Sequence, residues 1–278
     1  MPEFPKLQFL AVENLIACER RDDLLLQPVI QCIQARGAWS NPPLVTPSGD
    51  GSGSFVVLDG YHDLAALQEM GIRHALVQVV EPEDPGLQLG SWNHLVTGYR
   101  TRQLLASIRD VPGLHVKRLP STTRAENALE RACGIAVVQS SKGTCYLAHT
   151  ESKDLISRVI FLNAVVDTYR QEGAITLTSS GDIKPVAEAA PLTSHLVIFP
   201  SFRLEDLLRL AACKCLLPGG VSHVTMSPRA LHLNYPLDEL ASHQSLECKN
   251  ASLQQWIYRR ISSRGVRYYA ETTYLFDE

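Results

Sequence analysis

Residues 55–71, Phe55-Val56-Val57-Leu58-Asp59-Gly60-Tyr61-His62-Asp63-Leu64-Ala65-Ala66-Leu67-Gln68-Glu69-Met70-Gly71, pass from an apolar strand directly into a helix. The uninterrupted run Phe55 to Leu58 has the character of a strand buried on both faces. The stretch from Tyr61 reads as a helix closed by Gly71. Between them stand Asp59 and Gly60. The first N–H groups of a helix lack internal partners and carry the positive end of its dipole, so such a turn suits a phosphate. Gly60 lets the backbone approach an anion closely. Asp59 could orient a hydroxyl or reach a metal ion through water, and His62 could donate to a phosphate oxygen. The plain alternative is an ordinary strand–helix turn, in which Asp-Gly and an acidic first turn are commonplace. On physics alone the plain turn is favoured.

Upstream, LQFLAVENLIA (7–17) has an extended or turn-like pattern. In the following segment Leu25, Leu26, Val29, Ile30 and Ile33 recur at helical spacing up to a Gly37 stop, and Pro28 places the helix start near Leu26 or Gln27. PPLVTP is a short strand and SGDGSGS a hairpin-like loop. Downstream, IRHALVQVVE is a third strand, which completes a compact α/β unit. Further elements are a helix over Thr101–Ile108, a strand in LHVKRLP, and a helix in STTRAENALERACG capped before Glu126. The second half alternates again. GIAVVQS and TCYLAHT form a hairpin, and 152–172 a long amphipathic helix. AITLTSS and HLVIFPSF are strands, LEDLLRLAACKCLLPGG a helix with a glycine stop, and HVTMSP and RALHLNYPL strands. A last helix, SLQQWIYRRISSRG, precedes VRYYAETTYLF. A domain boundary is expected near Pro120.

The 278 residues suffice for one large domain or two ordinary ones, and 45% apolar with 20% charged residues is the composition of a packed globular protein. A net charge of -3, from 26 basic and 29 acidic side chains, argues against sequence-general nucleic-acid binding. No apolar run approaches the roughly 18 residues of a membrane span, and the N-terminus lacks a signal-peptide core. A cytoplasmic location is therefore expected, with the seven cysteines as reduced thiols. Cys213 and Cys215 fall within the expected helix on different sides, which argues against a metal site.

The segment VLDGYHDLAALQEMGI resembles the DGxHR turn of the ParB/sulfiredoxin-like fold, as found in free L-serine kinases. LIACERRDDLLLQPVIQCIQARGAWSNPPLVT is similar to the family segment before that turn, and GSWNHLV to its Trp-containing segment. LPGGVSHVTMSPRALHLNYPL resembles the closing segment of the second domain. The resemblance implies an α/β fold, with a ParB/sulfiredoxin-like nucleotide-binding domain over 1–120 and a mixed α/β domain over 121–278 that closes on it. It implies phosphoryl transfer from ATP or ADP, with Mg2+ held mainly by nucleotide phosphates and no dedicated protein metal site, to the hydroxyl of free serine. The product, O-phosphoserine, would feed amino-acid or siderophore-precursor synthesis. Glu19 matches the catalytic carboxylate, acting as general base, and Asp59, the second catalytic candidate, matches a position of the phosphate turn. Gly60, Tyr61 and His62 match the phosphate turn. Trp92, His94, Ser222, His223 and Arg229 fall on the substrate side.

Two departures stand out. Asp63 occupies the place of an arginine that would grip phosphate, and Ser222-His223 replaces a Thr-Arg pair. Other cations must then hold the phosphates, with Arg20, Arg21, Arg100 and Arg229 as candidates, or the activity has drifted. A non-catalytic module that senses a nucleotide or an amino acid is the alternative function. Neither a sulfiredoxin cysteine in the turn nor a helix-turn-helix region is evident. The oligomeric state is left open by the sequence.

Overall fold

The computed structural model describes residues 4–120, 124–131, 133–170, 173–183 and 194–268. The N-terminal part is a mixed sheet of β1 (Leu7–Ala11), β2 (Leu15–Ala17), β4 (Leu44–Pro47), β5 (Phe55–Asp59) and β6 (His74–Val79), in the order β1-β6-β4-β5-β2. β5 explains its own composition. Val57 faces one apolar core, with Leu64 and Leu67 of α2 (Tyr61–Glu69), while Val56 and Leu58 face a second core. Both faces are dry, so no polar alternation is possible.

The helix α1 (Asp23–Arg36) starts earlier than Pro28 suggested. The Asp22 side chain accepts from Leu24 N at 3.0 Å and caps the first turn. Pro28 therefore lies inside the helix. Its missing N–H would have met the carbonyl of Leu24, a residue 85% exposed, where water can serve instead. Gly37 ends the helix in the left-handed region, as its position implied.

The second sheet is antiparallel and six-stranded. It takes β8 (Asn93–Thr97), β9 (His115–Arg118), β10 (Gly134–Ser140), β11 (Cys145–His149), β12 (Ala174–Thr178) and β13 (His195–Ile198) in the order β12-β8-β13-β10-β11-β9. The hairpin of β10 and β11 forms as expected. Val138 and Val197 point into the second core, with α3 (Thr101–Arg109), α5 (Leu155–Arg170) and α6 (Leu204–Ala212). Their neighbours Val137, Leu196 and Ile198 point to a smaller core under α4 (Ala125–Arg131). Leu44, Val56 and Leu58 of the first sheet join the second core, so the two sheets share apolar packing. The last strand of the first sheet ends at Val79, and the first strand of the second begins at Asn93.

The chain then returns to its beginning. β14 (Ser222–Met226) pairs with β7 (Leu87–Ser91), and β15 (Tyr235–Pro236) with β3 (Ala38–Trp39). After α7 (Leu237–Ala241), α8 (Leu246–Ser262) lies against β1. There Asn250 accepts from Phe9 N at 2.8 Å and donates to Phe9 O at 3.1 Å.

Three expectations are corrected. α6 ends at Ala212, not at Gly219-Gly220. Lys214 takes the left-handed conformation, and the N–H groups of Lys214 and Cys215 close on Ala211 O and Leu210 O at 3.0 and 2.9 Å. Cys213 and Cys215 thus lie beyond the helix. RALHLNYPL is not a full strand, because His232 and Asn234 adopt positive φ and only Tyr235–Pro236 pairs. The last helix is longer than expected, starting at a Ser245 cap that accepts from Cys248 N. The cap expected at 121–123, and 269–278 of the final segment, lie outside the described residues. Among the described residues no helix is long and apolar enough to cross a membrane.

Candidate functional site

Beyond β2 the segment Cys18–Arg20 runs beside residues 217–222. Leu217 N donates to Cys18 O at 2.8 Å, and Arg20 N to Leu217 O at 2.7 Å. This pairing carries Glu19 inward until it is 2% exposed, so it is not the solvated surface acid that its Arg20-Arg21 neighbours suggest. One carboxylate oxygen accepts from Gly220 N at 2.9 Å. The other accepts from Ser222 N at 2.6 Å and from the Ser222 hydroxyl. The Tyr61 hydroxyl is a further hydrogen-bond partner of the carboxyl group. Burial pushes the Glu19 carboxyl above its usual range, and these donors oppose the shift without cancelling it. Burial and the neighbouring carboxylate likewise push the Tyr61 phenol up. Gly219 makes the close approach possible: a Cβ there would stand 2.7 Å from Arg20 O and 3.1 Å from Tyr61 Oη.

Behind this segment stands His94, fully buried. Its Nε2 lies 2.9 Å from Gly220 O, which can only accept, so Nε2 carries the proton. Its Nδ1, 2.9 Å from Tyr169 Oη, is then the acceptor. Burial holds the ring's pKa down to about 4, so His94 is neutral. Both ring nitrogens of His94 are thus hydrogen-bonded within the protein, one of them to Gly220 O. Arg170 of α5 donates to Gly219 O at 2.7 Å and faces Asp22 at 3.7 Å, while its Nε is buried with no partner. Arg20 pairs with Asp167 at 3.2 Å on the surface.

On the other side of Tyr61 lies the start of α2. Gly60 has φ 85°, and a Cβ there would stand 3.0 Å from Pro43 Cα. Glycine is thus required twice, by conformation and by packing. The N–H groups of Tyr61, His62 and Asp63 open the helix. His62 is half-buried. Burial lowers its pKa, Asp22 opposes the shift, and Arg170 adds to it. Arg229 reaches the end of β5, with Nη2 3.1 Å from Asp59 Oδ2 and Nη1 donating to Gln78 Oε1 at 3.2 Å. Asp63 is pushed up to about 6 by burial, then by Asp59, against the pull of Arg229. Trp92 stacks on His223 with ring centroids 4.0 Å apart at 36°, where β14 crosses β7.

The structure therefore joins Glu19, Tyr61 and Ser222 by direct hydrogen bonds, with His94 behind them. Asp59 meets Arg229, and Trp92 meets His223. Of the candidate cations, Arg229 is the one in contact with the turn's Asp59; Arg20 is taken by Asp167, Arg21 pairs with Asp23 at 2.7 Å, and Arg100 is exposed at the start of α3, its backbone N–H donating to Gln103 Oε1 at 3.1 Å. Sequence reasoning missed Arg170, Gln78 and Tyr169. It also misread Gly219-Gly220 as a helix stop. The doubled glycine before Val221-Ser222 was the one available signal of a close approach. Among the described residues no group of three or more His, Cys, Asp or Glu side chains is placed to hold a metal ion.

No family model matches the sequence. No curated protein matches it significantly. Solved structures match its fold. SbnI with a C-terminal truncation, from Staphylococcus aureus, superposes with TM-score 0.72 at 18% identity, over 92% of this chain and 97% of that one. A free serine kinase in complex with AMP superposes with TM-score 0.70 at 14% identity, over 86% of this chain and 95% of that one. A glutamate-to-alanine variant of a free serine kinase, in complex with ADP, gives TM-score 0.69 at 14% identity, over 86% and 95%. The chain has the mixed α/β fold of these proteins.

Proposed function

We propose that the chain is a kinase that transfers a phosphoryl group from ATP or ADP to the hydroxyl of free L-serine, giving O-phospho-L-serine. The observation that carries this reading is the Glu19 nook: a buried carboxylate already hydrogen-bonded to a serine hydroxyl, next to the first turn of a helix able to receive phosphate. The fold it shares with free serine kinases solved with AMP and ADP supports it.

In this reading the substrate hydroxyl takes the position now held by Ser222 Oγ. Glu19 accepts its proton, and its raised pKa brings it nearer the working range of a general base. Gly220 and Ser222 N–H fix both carboxylate oxygens, so the base is oriented before the substrate arrives. The open N–H groups of Tyr61 and His62, with the unpartnered Nε of Arg170, fit a phosphate. The nucleotide supplies the phosphoryl group, and a Mg2+ ion, when bound on its phosphates, would supply charge neutralisation there. Asp59, half-exposed at the end of β5, would be the carboxylate to hold such an ion through water. Trp92, Ser222 and His223 wall the amino-acid side, while His94 keeps Gly220 in register.

The test is serine-dependent nucleotide consumption by the purified chain with Mg2+, followed by detection of O-phosphoserine by phosphorus NMR. Product with ATP or ADP supports the reading. Nucleotide binding without serine-dependent turnover refutes it in favour of the second reading, a regulatory module of the same fold. Asp63 beside the turn, and a Glu19 fully occupied by the chain's own donors, are the observations that favour that alternative.

A further inference from the structure

The turn at the start of α2 holds two carboxylates, Asp59 and Asp63, where a phosphate would have to bind. The cation facing both is Arg229, and it arrives from the opposite end of the chain. Its placement is built rather than incidental. Gln78, 1% exposed on β6, holds residues 228–230 by three hydrogen bonds. Its Nε2 donates to Pro228 O at 2.9 Å. Its Oε1 accepts from Ala230 N at 2.9 Å and from Arg229 Nη1 at 3.2 Å. A buried amide whose acceptor and donor are both committed fixes a turn more tightly than surface contacts would. The Arg229 side chain is 17% exposed, and its other end meets Asp59, a carboxylate 53% exposed. Two of its five N–H donors are thereby used, one on Gln78 and one on Asp59.

We propose that Arg229 is the phosphate-gripping arginine of this site, held ready by Gln78 and kept at rest by Asp59. The inference deepens the kinase reading and rests on it, because it assigns the nucleotide's phosphates to the start of α2. A guanidinium binds a phosphate through two parallel hydrogen bonds, and a group carrying more charge than a carboxylate displaces the half-exposed Asp59. Asp59 is then released toward solvent at the moment the phosphate is bound. Gln78 acts as a positioning residue: it holds the backbone of 228–230 and, with it, the Arg229 side chain.

The test compares ADP, ATP and adenosine, each with Mg2+, by titration calorimetry on the full chain. Wild type, Arg229→Gln, Arg229→Lys and Gln78→Ala are measured, with melting recorded for each. Arg229→Gln is expected to weaken ADP and ATP by about 10- to 100-fold, the scale of a lost charged hydrogen bond, and to leave adenosine unchanged. Gln78→Ala should show the same selective loss for phosphorylated ligands, smaller in size. Should Arg229→Gln not fold, Arg229→Lys decides: it keeps the charge but not the fork, and ADP should weaken by roughly 3- to 10-fold. Equal affinity for ADP in wild type and either Arg229 variant overturns the proposal. So does an equal loss for adenosine and ADP, which would make the role structural. A wild-type chain that binds none of the three ligands overturns the proposal together with the nucleotide reading beneath it, and is told apart by that first measurement.

Discussion

Replacing Asp63 by asparagine isolates one electrostatic cost at the candidate phosphate turn. The Asp63 carboxyl is raised from 3.8 to about 6, first by burial and then by Asp59. The folded chain therefore keeps this proton to higher pH than the unfolded chain does. Stability linked to the group is fully present below about pH 4 and is lost as pH rises through about 6. A shift of about two units, at about 1.36 kcal/mol per unit, amounts to about 3 kcal/mol. Asparagine has nearly the same shape and never ionises. Asp63→Asn should therefore match wild type near pH 4 and exceed it by up to about 3 kcal/mol above pH 7, with Arg229 left to Asp59 alone. The raised Glu19 carboxyl bends both curves in the same direction, so the difference between the two proteins isolates Asp63. Urea denaturation between about pH 4 and 8 measures it. A variant that tracks wild type at every pH, or is less stable at neutral pH, would refute the reasoning. It would mean that the ionised carboxylate is repaid by the helix dipole and by Arg229.

Three other substitutions probe the same region. Glu19→Gln puts an amide where four donors converge, so one N–H must face another donor; a cost of about 1–3 kcal/mol in urea denaturation and a loss of about 10² or more in serine-dependent turnover are expected. Full turnover with unchanged stability would remove Glu19 from the mechanism. His62→Ala should weaken ADP by about 1–3 kcal/mol in calorimetry, the worth of a hydrogen bond to a charged phosphate, and unchanged affinity would return the turn to a plain strand–helix connection. Gly60→Ala forces a side chain into positive φ and against Pro43, so a loss of about 1–3 kcal/mol and a melting point several degrees lower are expected; an unchanged melting point would show that the turn can shift.

The elements that sequence reasoning placed well are those whose signals are local. β5, the start of α2 and the hairpin of β10 and β11 are fixed by apolar runs, glycines and turn residues within a few positions. Where local rules failed, a nearby group overrode them. Asp22 caps α1 from outside the apolar pattern, and so the helix carries Pro28 in its body. Lys214 closes α6 in a conformation usually left to glycine, and the real glycines are spent elsewhere. RALHLNYPL has a strand's composition, yet its partner β3 is two residues long and cannot pair with more of it.

The site was legible as identities and not as roles, and the reason is distance along the chain. Glu19 could be singled out, but its environment is made by Gly220 and Ser222, about two hundred residues later. Read alone, beside Arg20 and Arg21, it is a surface acid. The same holds for Asp59, whose partner Arg229 is placed by Gln78, a residue with no motif of its own. Each partner comes from the segment 217–230, which the sequence divides between a helix stop and two strands. That segment is a strap. It pairs with residues 18–20, covers Glu19, crosses β7 and is pinned again by Gln78. A substrate for Glu19 must displace the strap's own Ser222, and a phosphate for Arg229 must displace Asp59. Ser222 and Arg229 sit on one continuous piece of chain, so occupancy at either end of it bears on the geometry at the other. Weakening the strap at Gln78 should therefore alter serine affinity as well as nucleotide affinity, whereas two independent half-sites would leave serine binding untouched.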